Sequence, residues 1–171
     1  MAETDEGVST PAANGEDTSP QVGILAQYVK DLSFENPNAP MSFQNDAPQP
    51  QIEIGINVNA RKVGDDVFEV ELKINAEAKT ADNTAFVVEL VYAGLFGMRN
   101  VPDEALEPFL VVEAPRLIFP FARRIVADCT RDGGFPPLLL EPIDFAALYM
   151  AQREANGGEL DVFAGPAEGN A

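Results

Sequence analysis

Histidine and tryptophan are absent from the chain, and cysteine occurs once, at Cys129. Without histidine, the commonest general base, the commonest metal ligand and every Ser/His or Cys/His dyad are missing. A single cysteine permits no intramolecular disulfide, which fits a reducing cytosol. Positive charge is scarce too: 11 Lys and Arg stand against 28 Asp and Glu, a net charge of −17. Such a field repels nucleic acid and anionic lipid and attracts basic partners, although solubility alone would also account for it. No run is long and apolar enough to span a bilayer. Residues 1–7 carry Glu3, Asp5 and Glu6 where a secretory signal would place basic residues before an apolar core. These gaps predict a cytoplasmic protein that neither binds nucleic acid nor inserts into a membrane.

The composition that remains, 46% apolar and 23% charged, is that of a folded domain. Residues 1–21 are rich in small, polar and acidic residues and hold no aromatic, so they read as a disordered acidic arm. Residues 157–171 read as a flexible acidic tail, interrupted by the apolar Leu160, Val162 and Phe163. One folded domain is predicted over residues 22–156.

Its first half has the period of strands. Residues 24–34 lean apolar and stop at Asn36-Pro37-Asn38-Ala39-Pro40, whose prolines end any ladder. Ile52, Ile54, Ile56 and Val58 alternate with Glu53, Gly55, Asn57 and Asn59, giving a strand with one buried face. After a turn at Gly64-Asp65-Asp66, Phe68, Val70, Leu72 and Ile74 alternate with Glu69, Glu71, Lys73 and Asn75. Residues 84–98 carry apolar residues on both faces, which predicts a strand covered on both sides. Short turns imply an antiparallel meander.

The second half has the period of helices. Pro102-Asp103-Glu104 resembles a helix start. Leu117, Ile118, Phe121, Ile125, Val126 and Cys129 recur at three- and four-residue spacing, with Pro115 and Pro120 at starts or kinks and Gly133-Gly134 as the stop. Prolines keep residues 135–142 extended, and Asp144 caps a last helix bearing Phe145, Leu148 and Tyr149. Strands first and helices afterwards predict an α+β fold, a four-stranded antiparallel sheet with helices packed on one face.

Little in the chain supports chemistry. No loop has the calcium pattern, no metal site is expected, and no cofactor is implied. Gly94 and Gly97 lack the remaining residues of a phosphate loop and read as a bend at the sheet edge. Cys129 sits on an apolar helix face with no base to activate it, so it is assigned to packing. Glu69 and Glu71 lie about 7 Å apart on a strand, a spacing that would suit a glycosidase pair. Regularly spaced acids on a polar strand face are more often solvated, and with Glu53 and Glu77 they would make an acidic surface for a basic partner. No catalytic residue is assigned. Several of the 11 Phe lie beside proline, as in Phe119-Pro120-Phe121 and Phe135-Pro136, where irregular backbone can line a groove for extended peptides.

Three blocks, in order, resemble the SecB family of protein-export chaperones. They are Tyr28 to Pro40 (Tyr-Val-Lys-Asp-Leu-Ser-Phe-Glu-Asn-Pro-Asn-Ala-Pro), Leu117-Ile-Phe-Pro-Phe-Ala-Arg123, and Gly134 to Leu148 (Gly-Phe-Pro-Pro-Leu-Leu-Leu-Glu-Pro-Ile-Asp-Phe-Ala-Ala-Leu). The resemblance implies a holdase that binds unfolded secretory precursors without ATP turnover and delivers them to the SecA motor. It also implies a homotetramer, a dimer of dimers. Matching positions imply SecA docking through Asp31, Glu35, Val87 and Glu89, and tetramer assembly supported by Val88, Leu90 and Tyr92. A client groove is expected at Tyr28, Phe86, Phe135, Leu138 and Leu140. Ala47 stands where some members carry tryptophan, and Leu160 to Phe163 are a candidate second SecA contact. A chaperone serving a toxin–antitoxin pair and a carboxylate-dependent enzyme are the alternative readings.

Overall fold

The computed structural model describes residues 15–157. Most of the expected acidic arm, nearly all of the expected tail, and the cluster of Leu160, Val162 and Phe163 lie outside the described residues. The alternating segments form β1 (Gln21–Glu35), β2 (Gln51–Gly64), β3 (Val67–Lys79) and β4 (Thr84–Arg99). The predicted turns join β2, β3 and β4, with Asp66 in the left-handed region at φ 55°. The sheet order is β1-β4-β3-β2, antiparallel throughout. The expected meander therefore covers only β2 to β4. The segment from Asn36 to Pro50 carries the chain across the sheet from one edge strand to the other, a Greek-key connection.

The inward residues of β3 and β4, among them Val70, Leu72, Ile74, Val88, Leu90 and Phe96, are buried beneath the helices. Among the described residues, the opposite face has no second layer. Val87, Val91 and Leu95 are only half-buried there, and Glu89 is exposed. Cover on both sides, as expected for β4, is thus corrected among the described residues: its outward apolar residues are flanked by β1 and β3 but roofed by none of the other described elements. The buried face expected of β2 is also incomplete. Ala60 is buried, yet Ile52 and Ile54 are 43% and 46% exposed, because the helical layer meets β2 mainly through a short turn and stops short of its first half.

The helical half begins with α1 (Asp103–Pro108), which passes through a π turn at Phe109–Glu113 into α2 (Ala114–Asp132). The two predicted helices are one rod. Pro115 has no N–H to donate and its ring crowds the preceding turn; a widened turn just before it absorbs that misfit. The buried stripe is Leu110, Ala114, Ile118, Ala122, Val126 and Thr130, a strict four-residue spacing. Leu117 and Phe121, expected in that stripe, are 44% and 45% exposed. Small residues, Ala114 and Ala122, hold two of the stripe's positions because the helix lies close to the sheet.

Gly94 is part of the same close approach. A Cβ there would lie 2.7 Å from Phe96 Cε2 and 3.0 Å from Ile118 Cγ2. It sits inside an unbroken β4 and makes no edge bend, so the expected bend is corrected: the glycine admits α2. The final helix, α3 (Phe145–Ala155), is capped as predicted by Asp144, whose carboxylate accepts from Ala147 N at 3.0 Å. Among the described residues, no helix is long and apolar enough to cross a membrane.

Candidate functional site

The structure sorts the predicted site residues onto opposite sides of the sheet. On the helical side, the segment after β1 folds back over the start of β4. Asn38 Nδ2 donates to Thr84 O at 2.8 Å, Ser42 Oγ donates to Asn36 Oδ1 at 3.0 Å, and a short 3-10 turn at Met41–Phe43 follows. From the other direction, the proline-rich segment after α2 is tied down by Thr130. Its hydroxyl accepts from Leu138 N at 2.8 Å, and its carbonyl accepts from Phe135 N at 3.0 Å.

These two irregular segments bring four rings together. Phe86 lies 4.9 Å from Phe135 and stacks on Phe34 at 6.0 Å, and Phe43 closes on Phe135 at 5.3 Å. Gly133 and Gly134 do more than stop α2. A Cβ on Gly133 would meet the Phe34 ring at 2.2 Å, and one on Gly134, at φ 91°, would meet the Phe43 ring at 2.8 Å. Between the two segments runs a groove of about 870 Å³, with Phe43, Ile52, Phe86, Phe135 and Leu138 among its walls. Among the described residues, Asp46 is the one ionisable residue in its lining, and Met41 and Phe43 stand 62% and 47% exposed at it. Such a surface can hold apolar side chains of an extended peptide with little regard for sequence.

Of the five residues expected in the groove, Phe86, Phe135 and Leu138 line it. Leu140 is 2% exposed and belongs to the core. Tyr28 is on the other side of the sheet, and the cause is a bulge in β1. Tyr28 pairs with Ala93 and Asp31 with Val91, with an extra residue, Lys30, between the registers. A bulge reverses the alternation, so Tyr28 and Phe34 point to opposite faces although they are six positions apart, an even offset. Phe43, Met41 and Ile52 were missed by sequence reading. Their one signal was apolar character beside the proline cluster.

On the open face, cross-strand neighbours run Glu35–Val87–Glu77–Glu53 and Ser33–Glu89–Asn75–Gly55, followed by Asp31–Val91–Lys73–Asn57. The expected docking residues Asp31, Glu35, Val87 and Glu89 therefore share one surface, with the three acids exposed and Val87 half-buried. Farther along, Glu69 departs from the solvated carboxylate expected of it. It is 5% exposed, accepts from the Tyr28 hydroxyl, and meets Lys30 at 3.0 Å and Arg61 at 2.8 Å. Burial works against its charged form, but the hydrogen bonds from Tyr28, Lys30 and Arg61 outweigh that and hold its carboxyl at about 2. The same burial, with the bond to Glu69, pushes the Tyr28 phenol up to about 12. A carboxylate held this acidic and saturated with donors is unsuited to be the general acid of a glycosidase pair.

Val88, Leu90 and Tyr92 are buried within the subunit at 0%, 1% and 7% exposure. Tyr92 reaches back to β1, donating to Gln27 Oε1 at 3.2 Å. Cys129 is half-buried, and burial followed by the nearby Asp132 and Asp128 pushes its thiol up, as suits packing rather than attack. Among the described residues no group of three or more Asp, Glu, Cys or His is placed to hold a metal ion.

Comparison with known proteins places this geometry. The family described as SecB, preprotein translocase subunit SecB, matches residues 15–156. The protein-export protein SecB of Sphingopyxis alaskensis is 58% identical over 159 residues, 92% of each chain. That of Rhizorhabdus wittichii is 61% identical over 149 residues, 86% of this chain and 89% of its own. Among solved structures, a SecB-like chaperone of Mycobacterium tuberculosis in complex with a ChAD peptide from the HigA1 antitoxin shares the fold. It has a TM-score of 0.59 at 16% identity and covers 71% of this chain and 90% of that one. The chain belongs to the SecB family, and it is a chaperone of protein export.

Proposed function

We propose that the chain is a cytoplasmic holdase that captures unfolded secretory precursors in the Phe86–Phe135–Leu138 groove and hands them to SecA through Asp31, Glu35, Val87 and Glu89. The observation that carries this reading is the separation of the two surfaces. A nearly uncharged aromatic groove lies on one side of the sheet, and three exposed acids lie on the other. Client capture then rests on apolar burial, and motor docking rests on charge. The holdase works by binding, without turnover and without a cofactor. One folded unit over residues 22–156 carries both surfaces.

The working form is a homotetramer, a dimer of dimers. Among the described residues β1 is a long edge strand, and Val22, Ile24, Val29 and Leu32 on its helix-facing side are 42–45% exposed, as are Leu117 and Phe121 of α2 at 44% and 45%. An unpaired edge with an uncovered apolar face fits a second copy of this chain. Val88, Leu90 and Tyr92 would support assembly from within, by seating the sheet against α2 and β1. The antitoxin-linked protein that shares the fold is far more distant in sequence than the export proteins, which favours secretory precursors over an antitoxin client.

The test mixes purified protein with an unfolded precursor and with SecA, at low and high salt. Aggregation suppression should survive high salt and SecA binding should weaken. Asp31→Lys with Glu89→Lys should abolish SecA binding and leave suppression unchanged. Normal SecA binding by that variant would refute the docking assignment, and failure of the parent protein to suppress aggregation would refute the holdase.

A further inference from the structure

The open face carries cations as well as acids, and their pairing is selective. Arg61 is held by Glu69 at 2.8 Å, Lys79 by Glu77 at 3.1 Å and Glu53 at 3.6 Å, and Lys73 lies 3.9 Å from Glu71. Among the described residues, no cation pairs with Asp31, Glu35 or Glu89.

Lys30 makes this pattern informative. In a regular strand, consecutive residues point to opposite faces. The β1 bulge instead puts Lys30 on the same face as Asp31, its chain neighbour, where an unrestrained ammonium would compete for the Asp31 carboxylate. The Lys30 ammonium reaches away from it, bonding Glu71 and lying 3.0 Å from Glu69. Both receiving carboxylates are well shielded, with side chains 12% and 7% exposed, while Lys30 keeps 31%. The bond to Glu71 is the main influence raising the Lys30 pKa, so the lysine is held as a cation. Arg61 and Tyr28 in turn fix Glu69 from two further directions.

We propose that Glu71, backed by the Glu69–Arg61–Tyr28 cluster, is a positioning residue for motor docking: it draws Lys30 away from Asp31 and keeps Asp31, Glu35 and Glu89 free for a basic partner. This rests on the docking assignment above and adds what keeps that patch open.

The experiment measures binding to purified SecA at low salt, with melting curves to verify folding. Glu71→Gln weakens binding about fivefold, and adding Lys30→Met to it restores binding to within about twofold of the parent. Lys30→Met alone changes binding less than about twofold, because its charge is already engaged. Glu104→Gln removes an equal charge from an exposed side chain on α1, away from the open face, and also changes binding less than about twofold. Unchanged binding by Glu71→Gln, failure of Lys30→Met to rescue it, or an equal effect from Glu104→Gln overturns the proposal. Should Glu71→Gln not fold, Glu71→Asp withdraws the carboxylate by one methylene and is read in the same way. The Asp31→Lys, Glu89→Lys pair separates the two ideas. If that pair leaves binding intact, the docking assignment itself fails and the proposal with it; if the pair abolishes binding, a null result at Glu71 counts against the proposal alone.

Discussion

The Phe34 ring occupies the space that a side chain on Gly133 would need, with the ring 2.2 Å from the position of a Cβ. Phe34 lies one residue before the end of β1 and Gly133 caps α2, so this contact joins the sheet to the segment that carries Phe135. Gly133→Ala must displace the ring and loosen the Phe34–Phe86–Phe135 cluster. We expect a loss of about 1–3 kcal/mol in denaturant unfolding, the usual cost of overpacking. Aggregation suppression should fall while SecA binding holds. An unchanged unfolding midpoint would mean that Phe34 moves aside freely.

Gly94→Ala tests the seating of α2. Its Cβ would press on Phe96 and Ile118, both fully buried, and neither has room to retreat. A loss of about 1–3 kcal/mol is expected by the same overpacking. Ile118→Leu in that background, which removes the Cγ2 branch from the contact side at nearly constant volume, should recover part of it, as read by thermal melting.

Glu69 gives the fold an acid-sensitive tie between β1, β2 and β3. Its carboxyl lies at about 2 in the folded chain against 4.5 as its ordinary value. A depressed carboxyl contributes stability that is complete above its unfolded value and is lost as pH falls from about 4.5 through about 2. The shift corresponds to roughly 3 kcal/mol. Glu69→Gln should therefore be less stable than the parent at pH 7 by up to about that amount, and the gap should narrow as the pH falls below the ordinary value. Urea midpoints at several pH values measure it. A gap that stays constant with pH would mean that the ionised carboxylate is not what stabilises the tie.

Ile24→Asp tests the edge of β1. Ile24 faces the helical side but is 43% exposed, so a charge there harms little within the subunit and much at a contact with a second copy. Light scattering should report a smaller mass with the circular dichroism spectrum unchanged. An assembly of parental mass would mean that this part of β1 is not an interface.

Strands and helices were legible in the sequence wherever alternation or a four-residue spacing was unbroken. Phe68 to Ala78 alternates cleanly and forms β3 on the predicted face; Asp144 caps α3 because its carboxylate needs only the next turn of its own backbone. Proline clusters correctly marked where the ladders stop. The continuous rod of α1 and α2 was not legible, since a π turn is an answer to the strain of Pro115 and has no pattern of its own. Nor was the true buried stripe of α2, where Ala114 and Ala122 carry no strong apolar signal and are chosen for closeness.

For the site, sequence determined the ingredients: the acid excess, the three family blocks, and aromatic residues next to proline. Those properties are local, and each can be read from a residue and its immediate neighbours. Tertiary structure alone decided which ingredients meet. The bulge at Lys30 separates Tyr28 from Phe34, the folded-back segment brings Phe43 onto Phe135, and pairing across three strands takes Glu69 out of solvent. Each of these depends on register and on contacts between segments distant in the chain, and strand periodicity, which repeats the same way on either side of a bulge, carries no record of where it was shifted.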